Sequence, residues 1–497
     1  MFARPALRRA AVAASLVLTL LAAPTAAKAD LCLYAPLLGT SSQQTNYSPG
    51  AGVNVTTYDF AAGVSNGTFF KTRVSVAASN LASNSLNVTR FPVGRAGNQI
   101  SLATNSRALA YINGDYFTEA NGMPYSAVIE GGSLIYAPLG TSRVVGTAIQ
   151  SYSYEHGFPL TYTFRLGITP FHIDGVNQTH IKVNGITAIT NKYASGDLPS
   201  NSGGLLIYGA KVSKVYKSAV TAKPSKGVLL LSNSTTVKKL LKLSAGLATT
   251  FVLPKVPAAG LQLDYATVHS SGSISANGLK VRIDGVNVDA SSANARVYDS
   301  NYLAGRATQA GSYTIVLNAD SKITAKYRSR STAVPSGGQV LQLGSAGSSF
   351  YNGVSVGTAV TVTKGYTATG GTKFVNAIGA SAHGLQGGIN TQLCSRYFEA
   401  IRPRTSIGWN NSTGEVWLLT SSSGQDLKDY GFRMGGSSYH QMFAWLKQLG
   451  ATDAVLEDGG GSTTMITNNG GSYLRIDIPP SAWLRDIPNG WSLTTKG

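Results

Sequence analysis

Charged residues are scarce in this chain, and this scarcity limits the folds open to it. Only 13% of its 497 residues are Asp, Glu, Lys or Arg, while 56 are glycine. Short apolar stretches alternate with Ser, Thr, Asn and Gly turns, which is typical of strands joined by tight turns. Val128 to Tyr136 is predicted to form a hairpin around Gly131-Gly132, and Gly204 to Tyr208 a buried strand. We therefore expect an α+β protein with β-rich mixed sheets and few helices.

One segment carries a clear helical pattern, from Ser438 to Leu449. Its apolar residues on one face are Met442, Phe443, Leu446 and Leu449. Gly450 follows as a C-terminal stop signal. The chain then enters the apolar run Ala454-Val455-Leu456, so a helix is expected to lead directly into a buried strand.

The N-terminus has the features of a secretory signal. Arg4, Arg8 and Arg9 precede an apolar stretch from Ala10 to Ala23, and Ala27-Lys28-Ala29 matches an A-x-A cleavage site. No later segment approaches the ~20 apolar residues of a membrane-spanning helix. We expect residues 1–29 to be removed and the mature protein to be secreted, extracellular and without a transmembrane segment.

Cys32 and Cys394 are the two cysteines of the chain. Both would enter an oxidising compartment, where a pair of thiols tends to form a disulfide. A Cys32–Cys394 disulfide is our prediction, with two unpaired cysteines as the alternative, since sequence spacing does not show that the side chains meet.

The chain is strongly basic. Its formal charge is +19, which falls to about +15 once the four basic residues of the signal are removed. Such an excess attracts polyanions. Outside the cell these are phosphate-bearing or acidic glycans and polyanionic cell-wall polymers, so association with the cell wall is expected. Nucleic acid is not expected, because zinc spacings, basic helices and RNA-binding aromatic motifs are missing.

Lysines are concentrated where acids are absent, between Asp197 and Asp264. The lysines there are Lys211, Lys214, Lys217, Lys223, Lys226, Lys238, Lys239, Lys242 and Lys255. They form either a solvated face or a surface that binds polyanions. We predict a β-rich, lysine-rich insert at 211–330, which divides a single domain into parts at 30–210 and 331–497.

An acid pair and three glycines follow the apolar run near the C-terminus, in the order Glu457-Asp458-Gly459-Gly460-Gly461-Ser462. Glycines let a ligand approach the backbone closely, and the hydroxyl and N–H groups beyond them suit an anion or sugar hydroxyls. Asp-Gly is also a common hairpin turn. Both interpretations, a ligand site and an acidic turn, stay open on these residues alone.

Three motifs together resemble the phosphodiester glycosidase family, whose animal member removes N-acetylglucosamine from a phosphodiester-linked mannose. They are Asn113-Gly114-Asp115-Tyr116-Phe117, then Pro403-Arg404-Thr405-Ser406-Ile407-Gly408, and finally Leu449-Gly450-Ala451 leading through Asp458-Gly459-Gly460-Gly461-Ser462. The resemblance is strong over about 396–490, recognisable over about 107–140 and thin between. In two places the chain departs from the family: Leu456-Glu457 replaces Asn-Leu, and Ser422-Ser423-Gly424-Gln425 replaces Asp-Gly-Arg. The resemblance implies a hydrolase with an altered substrate pocket.

Asp458 is the first candidate for the catalytic carboxylate, as nucleophile or base. Glycoside cleavage normally uses a second, protonated carboxylate. Glu457 is adjacent, but neighbours in a strand point to opposite faces, so a buried salt bridge is its alternative role. Asp115 is the other candidate acid, and it and Asn113 are also candidates for sugar or metal binding. We expect no cofactor, with a divalent metal left open.

Two arginines are candidates for the phosphate. A phosphate monoester leaves easily, so cations that bind it relax the need for a strong acid, and the planar guanidinium matches phosphate oxygens. Arg404 matches the family arginine, and Arg402 shares its face if the segment is extended. The further substrate-binding candidates are Gly114, Gly459, Gly460 and Ser462, each with a turn as its structural alternative.

These features predict a secreted hydrolase that cleaves a sugar from a glycosyl-1-phosphodiester in extracellular or cell-wall glycan. Two other functions stay open. A non-catalytic, cationic protein that binds cell-wall glycan is favoured by the two departures from the family. A glycosidase of ordinary O-glycosides would use the same carboxylates.

Overall fold

The computed structural model describes residues 38–41, 43–65, 68–150, 157–178, 181, 185–194, 197–233, 246–253, 260–392, 401–422, 435–478 and 484–496. Strands dominate it, with three α-helices at Gln99–Asn105, Ser348–Gly353 and Tyr439–Leu449. The predicted β-rich α+β class is thus confirmed. The predicted signal (1–29), Cys32 and Cys394 lie outside the described residues. Within those ranges no helix is long and apolar enough to cross a membrane.

Two antiparallel sheets make the sandwich that carries the site. The eight-stranded sheet has the order Gln43–Gly50, Val53–Ser65, Thr68–Asn80, Glu415–Ser422, Arg404–Asn410, Asp453–Leu456, His383–Gln386, Ile389–Asn390. The five-stranded sheet has the order Ser472–Arg475, Met465–Asn469, Ala110–Asn113, Asn489–Thr495, Asn84–Arg90. Each of the three sequence motifs therefore meets one of these two sheets.

Both faces of the eight-stranded sheet are covered. In strand Glu415–Ser422, Val416 and Leu418 belong to the core shared with the five-stranded sheet. Trp417 and Leu419 alternate with them and pack against helix Tyr439–Leu449. This double burial fixes the register of the central strands, because a shift of one residue would exchange the two faces.

The helix predicted before the acid pair is confirmed. Ser438 caps Tyr439–Leu449 in a capping box with Gln441, and Gly450 ends the helix at φ 107°. The hairpin at 128–136 is confirmed as well, with Gly131 at φ 55° and Gly132 at φ 78° in its turn. Positive φ at both positions matches a tight turn that suits glycine.

Three further sheets and a two-stranded ribbon make up the rest of the strands in the described residues. One six-stranded sheet has the order Tyr366–Ala368, Gly260–Ser270, Thr141–Gln150, Phe374–Gly379, Val128–Glu130, Ser133–Tyr136. The seven-stranded sheet has the order Ile323–Arg328, Tyr313–Leu317, Gln339–Leu343, Ala295–Tyr298, Leu279–Val286, Ser273–Ala276, Thr361–Thr363. The other six-stranded sheet has the order Phe158–Leu166, Thr169–Val176, Ile186–Ile189, Val228–Ser232, Gly203–Tyr208, Lys211–Tyr216. Phe117–Thr118 and Met123–Pro124 form a two-stranded ribbon.

The predicted insert boundaries do not coincide with sheet boundaries. The six-stranded sheet of 158–232 has strands on both sides of residue 210 and a core of its own. Strand Gly260–Ser270 lies inside the predicted insert, yet its residues 260–269 pair with strand Thr141–Gln150, which lies outside the insert. The division of the chain at 211–330 remains a prediction from sequence.

Candidate active site

The three motifs meet at Asn113, the last residue of strand Ala110–Asn113. Its side-chain N–H donates to the backbone carbonyl of Asp458 at 2.7 Å. Its side-chain oxygen accepts from the Thr405 hydroxyl at 2.7 Å and from the Thr464 N–H at 3.1 Å. Asn113 is 1% exposed, and these contacts use its amide to position the acid-glycine loop. The sugar-binding or metal-binding role suggested for Asn113 by the sequence stays a prediction.

Gly114 places the first motif against the acid pair through its backbone. Its carbonyl accepts from the Asp458 N–H at 2.9 Å, and its own N–H donates to the Asn489 carbonyl at 3.1 Å. A β-carbon at this position would collide with the side chains of Ile378 and Asn489. Glycine is needed here for close approach of two chain segments.

The glycine loop is joined to the Pro-Arg-Thr motif. The Gly460 N–H donates to the Pro403 carbonyl at 2.9 Å, and Gly460 has φ 60°. A β-carbon at Gly459 would lie 2.9 Å from the same carbonyl. Gly460–Ser462 then form a 3-10 turn in which Ser462 is buried. Asp458 stands at the start of this fixed loop.

Three carboxylates share the site, and their surroundings separate them. Asp115 is 4% and Glu457 2% exposed, whereas Asp458 is half-buried. Burial raises the pKa of Asp115 to about 8, and the negative charge of Asp458 adds to the rise. The hydrogen bond from the Ser126 N–H lowers this pKa in part. Burial raises the pKa of Asp458 to about 6. The Ser462 hydroxyl, the Gly459 N–H and the positive charge of Arg485 each lower this pKa and limit the rise. Near pH 7, Asp458 is ionised while Asp115 keeps its proton.

Glu457 turns away from Asp458 into the sandwich. Its Oε1 accepts from the Trp491 indole N–H at 3.1 Å. Its Oε2 has no hydrogen-bond partner, and no cation pairs with it, among the described residues. Burial holds the pKa of Glu457 well above its usual range. The buried salt bridge considered as its alternative role is therefore not found among the described residues, where burial favours the protonated form of Glu457.

The two candidate arginines have different surroundings. Arg404 is 8% exposed, its Nε donates to the Ser437 carbonyl at 3.4 Å, and its guanidinium lies 4.1 Å from the centre of the Tyr439 ring. A β-carbon at Gly459 would be 3.8 Å from Arg404 Nη1. Arg402 is exposed and lies outside strand Arg404–Asn410. Strand alternation does not reach Arg402, which explains why the expected shared face is absent.

Two charged residues at the site escaped the sequence analysis. Arg485 lies over Gly461, where a β-carbon would be 3.0 Å from its Nη2. Its Nη1 pairs with Glu119 Oε1 at 2.9 Å. Both charges act on the Asp458 carboxylate. Arg485 lies in the segment that resembles the family, but no short motif marks it.

Aromatic and buried polar groups support the loop from behind. The Tyr116 hydroxyl forms hydrogen bonds with Tyr439 and Ser381, so it is tied to the ring that carries Arg404. Arg475 pairs with Asp477 at 3.0 Å, and both are buried. Arg475 also donates to the Thr463 carbonyl at 2.9 Å. This ion pair fixes the chain just beyond the glycines.

A metal site is not evident in the part of the chain that the structure describes. There, no group of three or more His, Cys, Asp or Glu side chains is placed to hold a metal ion. The Asp115 carboxylate accepts a hydrogen bond from the Ser126 N–H at 2.8 Å and packs against Gly379.

The β-sandwich thus presents a half-buried carboxylate, Asp458, on a glycine loop beside Arg404 and Arg485. Residues 311–494 match the phosphodiester glycosidase family, which confirms the resemblance predicted from the motifs. No curated protein matches the chain in sequence.

Two solved structures with TM-scores above 0.5 share the fold at low identity. A hypothetical protein from Synechocystis is 14% identical with a TM-score of 0.54, over 92% of this chain and 64% of that one. A putative exported protein from Burkholderia pseudomallei is 14% identical with a TM-score of 0.52, over 91% and 96%. The zebrafish N-acetylglucosamine-1-phosphodiester alpha-N-acetylglucosaminidase catalytic domain, auto-inhibited by its pro-peptide, is 11% identical with a TM-score of 0.34, over 91% and 88%. This chain thus spans less than two thirds of the Synechocystis protein.

Proposed function

We propose that the protein is a secreted phosphodiester glycosidase that removes a sugar from a glycosyl-1-phosphodiester in extracellular or cell-wall glycan. The main support is the match of residues 311–494 to that family, together with the position of Asp458 on a glycine loop that Arg404 and Arg485 flank. Asp115 adds a second carboxyl group whose pKa is raised further, and carboxyl groups with separated pKa values are the usual arrangement for an acid and a base in one site.

In the proposed reaction the bond between the anomeric carbon and the phosphate oxygen breaks, and its electron pair leaves with the phosphate monoester. Water supplies the hydroxyl group for the anomeric carbon, and its other proton is released. Asp458 acts as the nucleophile or as the base for this water. Arg404 and Arg485 supply positive charge beside the glycine loop, where charge develops on the leaving group.

Asp115 has a supporting part in this reaction. Its carboxyl is buried behind Asp458 and holds a proton at neutral pH. A phosphate monoester departs with little help from an acid. Asp115 is therefore the second acid of the site, and its proton accounts for only part of the rate enhancement. Glu457 lies deeper, against Trp491, and we assign it to the support of the loop.

An assay with matched substrates tests the proposal. Mature protein is incubated with a panel of glycosyl phosphodiesters while free sugar and phosphomonoester are measured. Asp458→Asn should lower turnover by about 10²–10⁴-fold with an unchanged circular dichroism spectrum. Asp320→Asn, at an exposed turn of the seven-stranded sheet, is the matched control. Full turnover by Asp458→Asn would contradict the proposal.

One observation favours a second candidate function. Ordinary O-glycosides have a poor alkoxide leaving group that requires a protonated acid, and Asp115 holds a proton near neutral pH. If the panel releases sugar only from O-glycosides, the fold is a glycosidase of that class. If neither class is cleaved but glycan is bound, the protein is the cationic glycan-binding protein considered above.

A further inference from the structure

A pocket of about 650 Å³ opens beside the glycine loop. It is lined by Gly94, Arg95 and the turn that contains Glu119, together with Leu484, Arg485 and Asp486. Of the motifs found in the sequence, only Phe117 contributes to this lining. Its position next to Asp458 follows from Arg485, which belongs both to the pocket and to the surroundings of Gly461.

The pocket wall is held rigidly by a residue from outside it. Arg306 donates to the carbonyls of Gly94 at 3.2 Å and of Asn121 at 3.3 Å. The same guanidinium pairs with Asp289 at 2.8 Å. The guanidinium of Arg306 thereby joins the loop of Gly94 to the loop of Asn121, and these contacts give the pocket a fixed shape.

Arg95 and Arg485 are the two arginines that line this pocket, and Arg485 is the one that also lies beside the glycine loop. Its side chain is 24% exposed and is paired at 2.9 Å with Glu119, whose side chain is 71% exposed. Ion pairs this open to water are weak and exchange readily with other anions. A phosphate group carries more charge and matches the planar guanidinium with two oxygens. Phosphate can therefore replace Glu119 without any rearrangement of the buried structure.

Arg404 is in a different position. It is 8% exposed and already engaged with the Ser437 carbonyl and the Tyr439 ring. These contacts hold its guanidinium against Gly459. A cation so enclosed positions the loop and contributes charge to it, whereas contact with an incoming phosphate requires the more accessible Arg485.

We propose that this pocket binds the phosphate-bearing side of the substrate, that phosphate displaces Glu119 from Arg485, and that Arg485 determines the preference for phosphodiesters over neutral glycosides. This inference rests on the proposed function. It assigns opposite effects to two residues in contact, since Arg485 attracts the phosphate and Glu119 competes with it.

Direct binding of inorganic phosphate tests the pocket without any assay of turnover. Isothermal titration calorimetry is carried out at pH 7 on the whole mature protein. Arg485→Gln should weaken phosphate binding by about tenfold or more, and Glu119→Gln should strengthen it several-fold. Arg282→Gln, whose arginine is 69% exposed and paired with Asp284 elsewhere, should leave binding unchanged. Thermal unfolding shows that each variant is folded.

Turnover provides the second measurement, on a phosphodiester and a neutral aryl glycoside of the same sugar. Arg485→Gln should reduce kcat/KM for the phosphodiester by about tenfold more than for the aryl glycoside, mainly through KM. Equal losses on both substrates, or weaker phosphate binding in Glu119→Gln, would overturn the inference. If phosphate binds as expected while no phosphodiester is cleaved, the pocket stands and the proposed function fails.

Discussion

The side chain of Asn113 donates a hydrogen bond to the backbone carbonyl of Asp458, a residue 345 positions later in the chain, at 2.7 Å. This contact links the two sheets of the sandwich at the point where the catalytic candidate leaves its strand. Because Asn113 also accepts from Thr405 and Thr464, one buried amide fixes all three motifs. The acid's position thus depends on a residue that does not touch solvent.

Replacement of Asn113 should impair catalysis through the loop. In Asn113→Ala the Thr405 hydroxyl, the Thr464 N–H and the Asp458 carbonyl lose a buried partner, at a cost of about 1–3 kcal/mol for each unsatisfied group. We expect kcat to fall more than KM rises. Asn411→Ala, which removes two hydrogen bonds to the backbone of Leu263, is the control for general loss of stability. Equal activity in both variants would remove Asn113 from the positioning of Asp458.

The rate should follow a bell-shaped curve against pH. Asp458 must be ionised to act, and its pKa is raised to about 6. Asp115 must be protonated to act as an acid, and its pKa is raised to about 8. We expect kcat/KM to rise through about pH 6 and fall above about pH 8. If Asp115→Asn loses the fall at high pH but keeps the rise at low pH, the fall is due to Asp115. An unchanged curve in this variant would contradict the role of Asp115 as the acid.

Stability should also depend on pH through Asp115. Its folded pKa lies above the unfolded value, so the folded state binds more protons and stability declines as pH rises from about 4 to about 8. The slope is at most about 1.4 kcal/mol per pH unit for one group. The Asp115→Asn variant does not lose stability in this way as pH rises. The difference in urea midpoint between the variant and the wild type should therefore increase from pH 5 to pH 8, within the slope given above. A constant difference between the two proteins would show that Asp115 titrates normally.

The helix and the acid-glycine loop were predictable because their signals are local. Ser438, Gln441 and Gly450 specify the ends of a helix within twelve or so residues of chain. The strand ends at Leu456, so the alternation of side chains within a strand does not extend to the acid pair, and separate backbone contacts position the two acids. The Glu457 N–H still bonds within the sheet to Thr405, whereas the Asp458 N–H bonds across to Gly114.

Other features of the site depend on tertiary packing and have no local signal. Arg485 follows Asp458 by a full hairpin, and only the fold brings it over Gly461. Glu119 lies on a short turn whose contact with Arg485 joins distant parts of the chain. Arg404 matched a motif, yet its burial against Tyr439 follows from the docking of a helix onto the sheet. Sequence thus identified the loop but not the pocket beside it.

The predicted Cys32–Cys394 disulfide lies outside the described residues and stays a prediction. Its closure of a very long loop should contribute on the order of 4–5 kcal/mol in the chain-entropy treatment. Intact-mass analysis after thiol alkylation of the folded, exported protein decides it. No added alkyl group is expected before reduction and two after it. Two alkylated cysteines in unreduced, folded protein would end the proposal.

The lysine-rich stretch should bind anionic polymer independently of catalysis. Lys211 and Lys214 are exposed on strand Lys211–Tyr216, which is at the edge of the six-stranded sheet of residues 158–232. Lys217 and Lys226 follow this strand in the chain and are also exposed. Lys223 differs, because its ammonium donates to the Tyr193 carbonyl at 2.7 Å. Lysine on an edge strand also prevents pairing with other chains, so a solvated protective face is the alternative. Lys238, Lys239, Lys242 and Lys255 lie outside the described residues.

Charge reversal separates these two roles of the lysine-rich stretch. A variant with Lys211, Lys214, Lys217 and Lys226 changed to Glu, with Lys223 kept for its structural contact, should be released from teichoic-acid-like wall material. Wild-type retention should fall steeply as salt exceeds ~0.15 M, where the Debye length is near 8 Å. Turnover of a small soluble phosphodiester should be unchanged, because the active-site sandwich does not include this sheet. Retention equal to wild type would leave the lysines as a solvated face, and a folded variant with lost turnover would show that this sheet and the active site are coupled.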